Sequence, residues 1–91
     1  MRGLFDLGTL VTTQGALMAL LRAQQSPLEL LERHVGGDWG DLCPEDITEN
    51  EFALAHGFRL FSSYSTSAGD RIWVITEADR SVTTFLLPDE Y

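Results

Sequence analysis

Two histidines, one cysteine, six arginines and a scatter of hydroxyls are the residues of this chain with chemistry to offer. Cleaving RNA through its own 2′-hydroxyl requires a general base, a general acid and a cation for the phosphate. His34 or His56 supplies proton transfer and Arg59, Arg71 or Arg80 the cation, with Ser63, Tyr64, Thr66 and Thr83 on neighbouring strand-like segments. The candidate catalytic set is His34, Arg59, Tyr64, Arg80 and Thr83, which makes a small metal-independent ribonuclease one expectation. A net charge of −8 opposes it, because such a surface repels a phosphate backbone. Serine and threonine in strands are, moreover, ordinary strand residues.

Metal chemistry would have to recruit His34, Asp38, Cys43 and His56. Their spacing lacks the pairing that zinc sites show, so neither metal nor cofactor is expected. Cys43 precedes Pro44 at a helix start, where a thiol pKa can fall, but capping or burial is the commoner role. The stretch RHVGGDWGD, residues 33 to 41, concentrates His34, Asp38, Trp39 and three glycines. It lies between two helical segments, so turn chemistry is needed whatever the function. Glycines supply positive φ, Asp38 folds its carboxylate onto backbone amides, Trp39 plugs a gap, and His34 meets the helix end as imidazolium. A structural corner accounts for every residue.

The elements that would position these groups follow from local signals. Residues 4 to 12 read as a short strand weakened by Gly8. Thr12 or Thr13 caps a helix running to about Gln24, with Leu17, Leu20 and Leu21 as its apolar stripe and Ala16, Met18 and Ala19 beside it. Ser26, Pro27 and Glu29 form a helix start with a capping box; the helix runs from 27 to about 35, turns Leu28, Leu31 and Val35 inward and stops at Gly36-Gly37. A third helix spans Pro44 to His56, ended by Gly57. FRLFSSYST, DRIWVIT and SVTTFLL then alternate with SAGD and EADR, three strands joined by short loops. The expected fold is α+β: two to three N-terminal helices packed on one face of a C-terminal antiparallel β-meander of three to four strands, with residues 1–91 forming a single domain. Helices followed by such a sheet are loosely similar to the barnase, EndoU and RelE ribonucleases, at the level of fold alone.

Charge is the strongest compositional feature. Fourteen acids face six arginines and no lysine, and Glu29, Glu32, Asp38, Asp41, Glu45, Asp46, Glu49 and Glu51 fall within residues 29 to 51. Such a field disfavours nucleic acid and attracts a basic protein surface, although it also serves as a solvated face. The sign rejects a helix-turn-helix reading of residues 13 to 35, whose second helix would present Glu29 and Glu32 to DNA. A single cysteine and no apolar run of membrane-spanning length point to a cytoplasmic protein away from the membrane. A free last-strand edge allows either a monomer or a homodimer.

Residues 33–41, NEFALAHGFRLFSSY and RIWVITEADRSVTTFLLPDEY together make the chain resemble a family of short proteins carried on bacterial plasmids and integrative elements. These are labelled "plasmid related protein" or, mistakenly, type I restriction endonuclease subunit. The resemblance runs from about Leu30 to Tyr91 and includes the Q-G-A-L helix start at Gln14 to Leu17. It implies a setting, the accessory genes of mobile DNA, and transfers no functional residues. That setting and the charge favour a non-enzymatic accessory protein. Its expected surface is Glu29, Glu32, Asp38, Asp41, Glu45, Asp46 and Glu49 with Trp39 as apolar anchor. It would mimic phosphates towards a host nuclease or CRISPR complex, as an anti-restriction or anti-CRISPR protein does.

Overall fold

The computed structural model describes residues 3 to 91. Strand β1 (Thr9–Thr12) opens the fold, followed by α1 (Gln14–Ala23), α2 (Pro27–Val35) and α3 (Pro44–His56). The meander β2 (Leu60–Ser65), β3 (Arg71–Thr76) and β4 (Val82–Leu86) completes it, with a short 3₁₀ turn at Pro88–Glu90. The sheet order is β1-β4-β3-β2; β2, β3 and β4 pair antiparallel, and β1 adds to β4 in parallel, which makes the sheet mixed. The fold class is α+β as expected, and the N-terminal segment joins the sheet.

The helix ends follow their capping residues. Thr13 Oγ1 accepts from the Ala16 amide and donates to the Glu90 carboxylate at 2.5 Å, so one side chain starts α1 and holds the C-terminal turn. Ser26 Oγ accepts from the Leu28 amide at the start of α2. Gly57, at φ 77°, ends α3 in the left-handed conformation, whereas α2 passes through Gly36 at φ −89° before Gly37 turns left-handed at 86°.

One sheet face carries Leu60, Ser62, Tyr64, Ile72, Val74, Thr76, Thr83 and Phe85 in register. Ala16, Ala19 and Leu20 of α1 and Leu30 and Leu31 of α2 pack on it as the main core. The expected stripes hold in part: Leu20, Leu31 and Val35 are buried, as are Ala16 and Ala19, whose small side chains let α1 approach the sheet, but Leu17, Leu21 and Leu28 are exposed. A second cluster gathers Trp39, Ala53 and Leu60 with Phe5, Leu42 and Leu54.

α3 does not cover the sheet; it lies against β2. Asn50 holds that edge with both ends of its amide, accepting from the Phe61 N–H and donating to the Phe61 carbonyl. Further along, the Ser63 N–H donates to Trp39 O and its carbonyl accepts from the Asp41 N–H. The β2 edge is therefore sealed, and the opposite sheet face is left open beside α3.

Candidate functional site

The corner at residues 33 to 41 is built from paired interactions. Arg33 grips Asp38 with Nε–Oδ2 at 2.7 Å and Nη2–Oδ1 at 3.3 Å and lies 4.5 Å above the Tyr64 ring. The Arg33 hydrogen bond holds the Asp38 carboxyl below its usual range, and Asp38 Oδ1 also accepts from the Gly40 amide. Tyr64 donates its hydroxyl to Asp38 O at 2.6 Å, and burial pushes its pKa up to about 12. Gly40, at φ 76°, comes so close to β2 that a Cβ would collide with the Ser63 carbonyl. Trp39 is buried, stacked near Phe5 and bonded through Nε1 to Glu51 at 3.2 Å.

His34 has no solvent exposure at all. Its Nδ1 lies 2.6 Å from Ser62 Oγ and its Nε2 2.9 Å from Thr76 Oγ1, which in turn lies 2.7 Å from Thr83 Oγ1. Thr83 must donate to the Leu7 carbonyl, 2.7 Å away, because a carbonyl only accepts. Thr76 must then donate to Thr83, so it accepts from His34 Nε2–H, and the bare Nδ1 accepts from Ser62. One tautomer, neutral with its proton on Nε2, satisfies the whole chain. Burial, aided by the Arg80 cation, pushes the His34 pKa down to about 4, so the ring is neutral at pH 7. The expected imidazolium at the helix end is corrected accordingly: the ring points into the core, where charge is costly.

The candidate catalytic residues do not form a solvent-reachable site. His34, Tyr64 and Thr83 are buried within these networks. Arg80 spends its guanidinium on the carbonyls of Phe58, Glu77, Ala78 and Ala53, clamping the end of α3 to the β3–β4 turn. Arg59 alone of the set is exposed, 5.5 Å above the Tyr91 ring. Among the described residues no three His, Cys, Asp or Glu side chains converge as metal ligands. The thiol of Cys43 is not activated. The Asp46 amide favours the thiolate, but the carboxylates of Glu45 and Asp46 outweigh it and raise the pKa.

The proposed acidic surface divides. Asp38 is paired with Arg33, and Asp41 with Arg71 at 3.4 Å. Trp39 is no surface anchor, because it fills the core. Glu29 and Glu32 stand exposed on α2, and Glu45, Asp46 and Glu49 on α3.

A groove of about 720 Å³ runs between α3 and the open sheet face. Phe52, Phe58, Phe61, Trp73, Ile75 and Tyr91 line it, with Asp46 and Glu49 from α3 and with Arg59 among its polar residues. Phe52 stacks on Phe58 at 5.8 Å, and Phe61 and Tyr91 meet Trp73 edge-on at 4.9 and 5.8 Å. A shallower depression of about 290 Å³ shares Asp46, Phe61 and Trp73 and reaches Arg71 and Cys43. Sequence reasoning missed this groove. The pattern of α3 does not say whether the helix lies over the sheet or beside it, and only the second position leaves Phe61 and Trp73 uncovered. Comparison with protein-family models, curated proteins and solved structures finds no match to this chain.

Proposed function

We propose that this chain is a non-enzymatic binding module that takes a basic protein segment into the groove beside α3. One observation carries the reading: an aromatic floor and acidic side chains share the same concave surface. Aromatic residues supply large apolar contact at little entropic cost, and carboxylates beside them select a cationic partner and speed its approach. Asp46 and Glu49 are exposed and make no ion pair among the described residues, so their charge is available to a partner. Glu45 extends the same acidic helix by one position.

The setting implied by the resemblance gives this partner a class. A host-defence protein that handles nucleic acid carries basic segments that meet phosphates, and the α3 carboxylates would take the phosphates' place beside such a segment in the groove. Trp73 takes over the anchoring role expected of Trp39.

The test is affinity capture from a bacterial host extract by the wild-type chain and three variants. Asp46→Lys with Glu49→Lys, and separately Trp73→Ala, should lose the partner while keeping the wild-type circular dichroism spectrum. Glu29→Lys with Glu32→Lys, on α2, should retain it. Capture should also weaken steeply with added salt. A partner held equally by the groove variants, or indifferent to ionic strength, overturns the proposal.

A further inference from the structure

The sheet has two edges, and among the described residues one is closed and the other is open. Asn50 and the Trp39–Asp41 backbone satisfy the outward groups of Phe61 and Ser63 on β2. At the other edge, the Thr9 N–H donates to Ser81 O and the Thr13 N–H to Phe85 O, so the odd-numbered residues of β1 face β4. The N–H and C=O groups of Leu10 and Thr12 consequently point away from the sheet. All four residues of β1 are exposed. Natural edges are ordinarily guarded by charge, proline or a bulge. Here residues 7 to 21 contain no charged side chain and no proline.

We propose that β1 pairs antiparallel with β1 of a second copy about a twofold axis at Val11. In that register Leu10 faces Thr12 of the second copy and exchanges both backbone hydrogen bonds with it, and the symmetric pair does the same. Two four-stranded sheets become one of eight strands. Charge selects this face: each copy carries −8, and this uncharged span is where two such chains approach with least repulsion. A four-residue strand alone buries less than the roughly 800 Å² per partner usual in stable complexes. The remainder comes from apolar side chains left in water. Leu10, on the sheet face that α1 covers, is 50% exposed, and Leu17, Met18 and Leu21 on α1 are 40%, 46% and 61% exposed. A second copy satisfies the hydrogen bonds and the apolar surface together, and this pairing does not depend on the groove.

Sedimentation equilibrium of the full chain should show a species of twice the 10.1 kDa protomer, dissociating on dilution. Leu10→Pro deletes the outward donor while leaving the bonds to β4 in place. It should weaken the dimer roughly tenfold or more, since two symmetric hydrogen bonds are lost. Val11→Cys in a Cys43→Ser background places two thiols at a non-hydrogen-bonded pair, where Cα atoms lie about 4.5 Å apart, within disulfide reach. It should cross-link under mild oxidation, and Thr9→Cys in the same background should not. The cross-link reads the register without depending on the fold of the proline variant. A chain that stays monomeric at high concentration, or a dimer that Val11→Cys fails to cross-link, overturns the proposal.

Discussion

Replacing the His34 imidazole with a methyl group strips Ser62 of its acceptor and Thr76 of its donor, in a place water does not reach. The unsatisfied Ser62 donor costs about 1–3 kcal/mol, the Thr76 oxygen loses its donor while keeping its bond to Thr83, and the cavity adds to that. His34→Ala should therefore destabilise by about 3 kcal/mol or more in urea denaturation at pH 7. A surface helix-end charge would be worth only ~1 kcal/mol. Trp39→Ala should cost about 3–5 kcal/mol for its buried indole, so the two variants fall close together. The pH dependence has a definite sign. Folding lowers the His34 pKa from 6.5 to about 4, so the unfolded chain binds more protons between those values. The stabilisation is complete above pH 6.5 and is lost as pH falls to 4, by about 3 kcal/mol in all. Denaturation curves at pH 7, 5.5 and 4.5 should show the loss beginning above the range where Asp38 and Glu90, both shifted down, start to protonate. Constant stability across that range would refute a neutral buried imidazole.

The corner between α2 and α3 acts as an added strand. Trp39 O and the Asp41 N–H bond Ser63, and Gly40 passes between them with φ at 76°, where a side chain would strike the Ser63 carbonyl. Gly40→Ala combines a disfavoured dihedral with a collision against backbone that cannot swing aside. It should cost about 2–4 kcal/mol in chemical denaturation. A loss under about 0.5 kcal/mol would mean the corner stands off β2. The helices show a related lesson. α1 is apolar nearly all round, so its periodicity alone did not choose between Leu17 and Ala19 as the buried residue.

The whole chain carries −8 on 91 residues, and its arginine–carboxylate pairs are exposed. Exposed pairs contribute little, so screening them loses little. Screening the mutual repulsion of the unpaired acids gains more. Added sodium chloride should therefore raise the melting temperature, by up to about 1 kcal/mol or ~4–8 °C for a chain of this size. The same salt should weaken capture of a basic partner. Opposite responses of stability and binding distinguish an acidic recognition surface from one retained only for solubility. A melting temperature that falls with salt would show that the three ion pairs among the described residues outweigh the repulsion.

The α+β class, the bounds of α2 and α3, the meander and the acidic balance were legible in the sequence because each is written locally. Ser26-Pro27 starts a helix, Gly57 ends one, and SAGD and EADR separate β-branched runs. Asp38 folding onto the Gly40 amide and Trp39 as a plug were legible for the same reason. Tertiary structure alone decided what lies between distant segments. The parallel docking of β1 on β4 needs a pairing across some seventy residues that no local pattern encodes. His34 reads from sequence as a helix-end cation. It becomes a neutral core residue only because Ser62 and Thr76 reach it from two strands and Thr83, on a third, orients Thr76. The groove likewise exists because Asn50 fastens α3 to the edge of β2 and leaves Phe61, Trp73 and Tyr91 uncovered, an outcome set by where one amide finds its backbone partners.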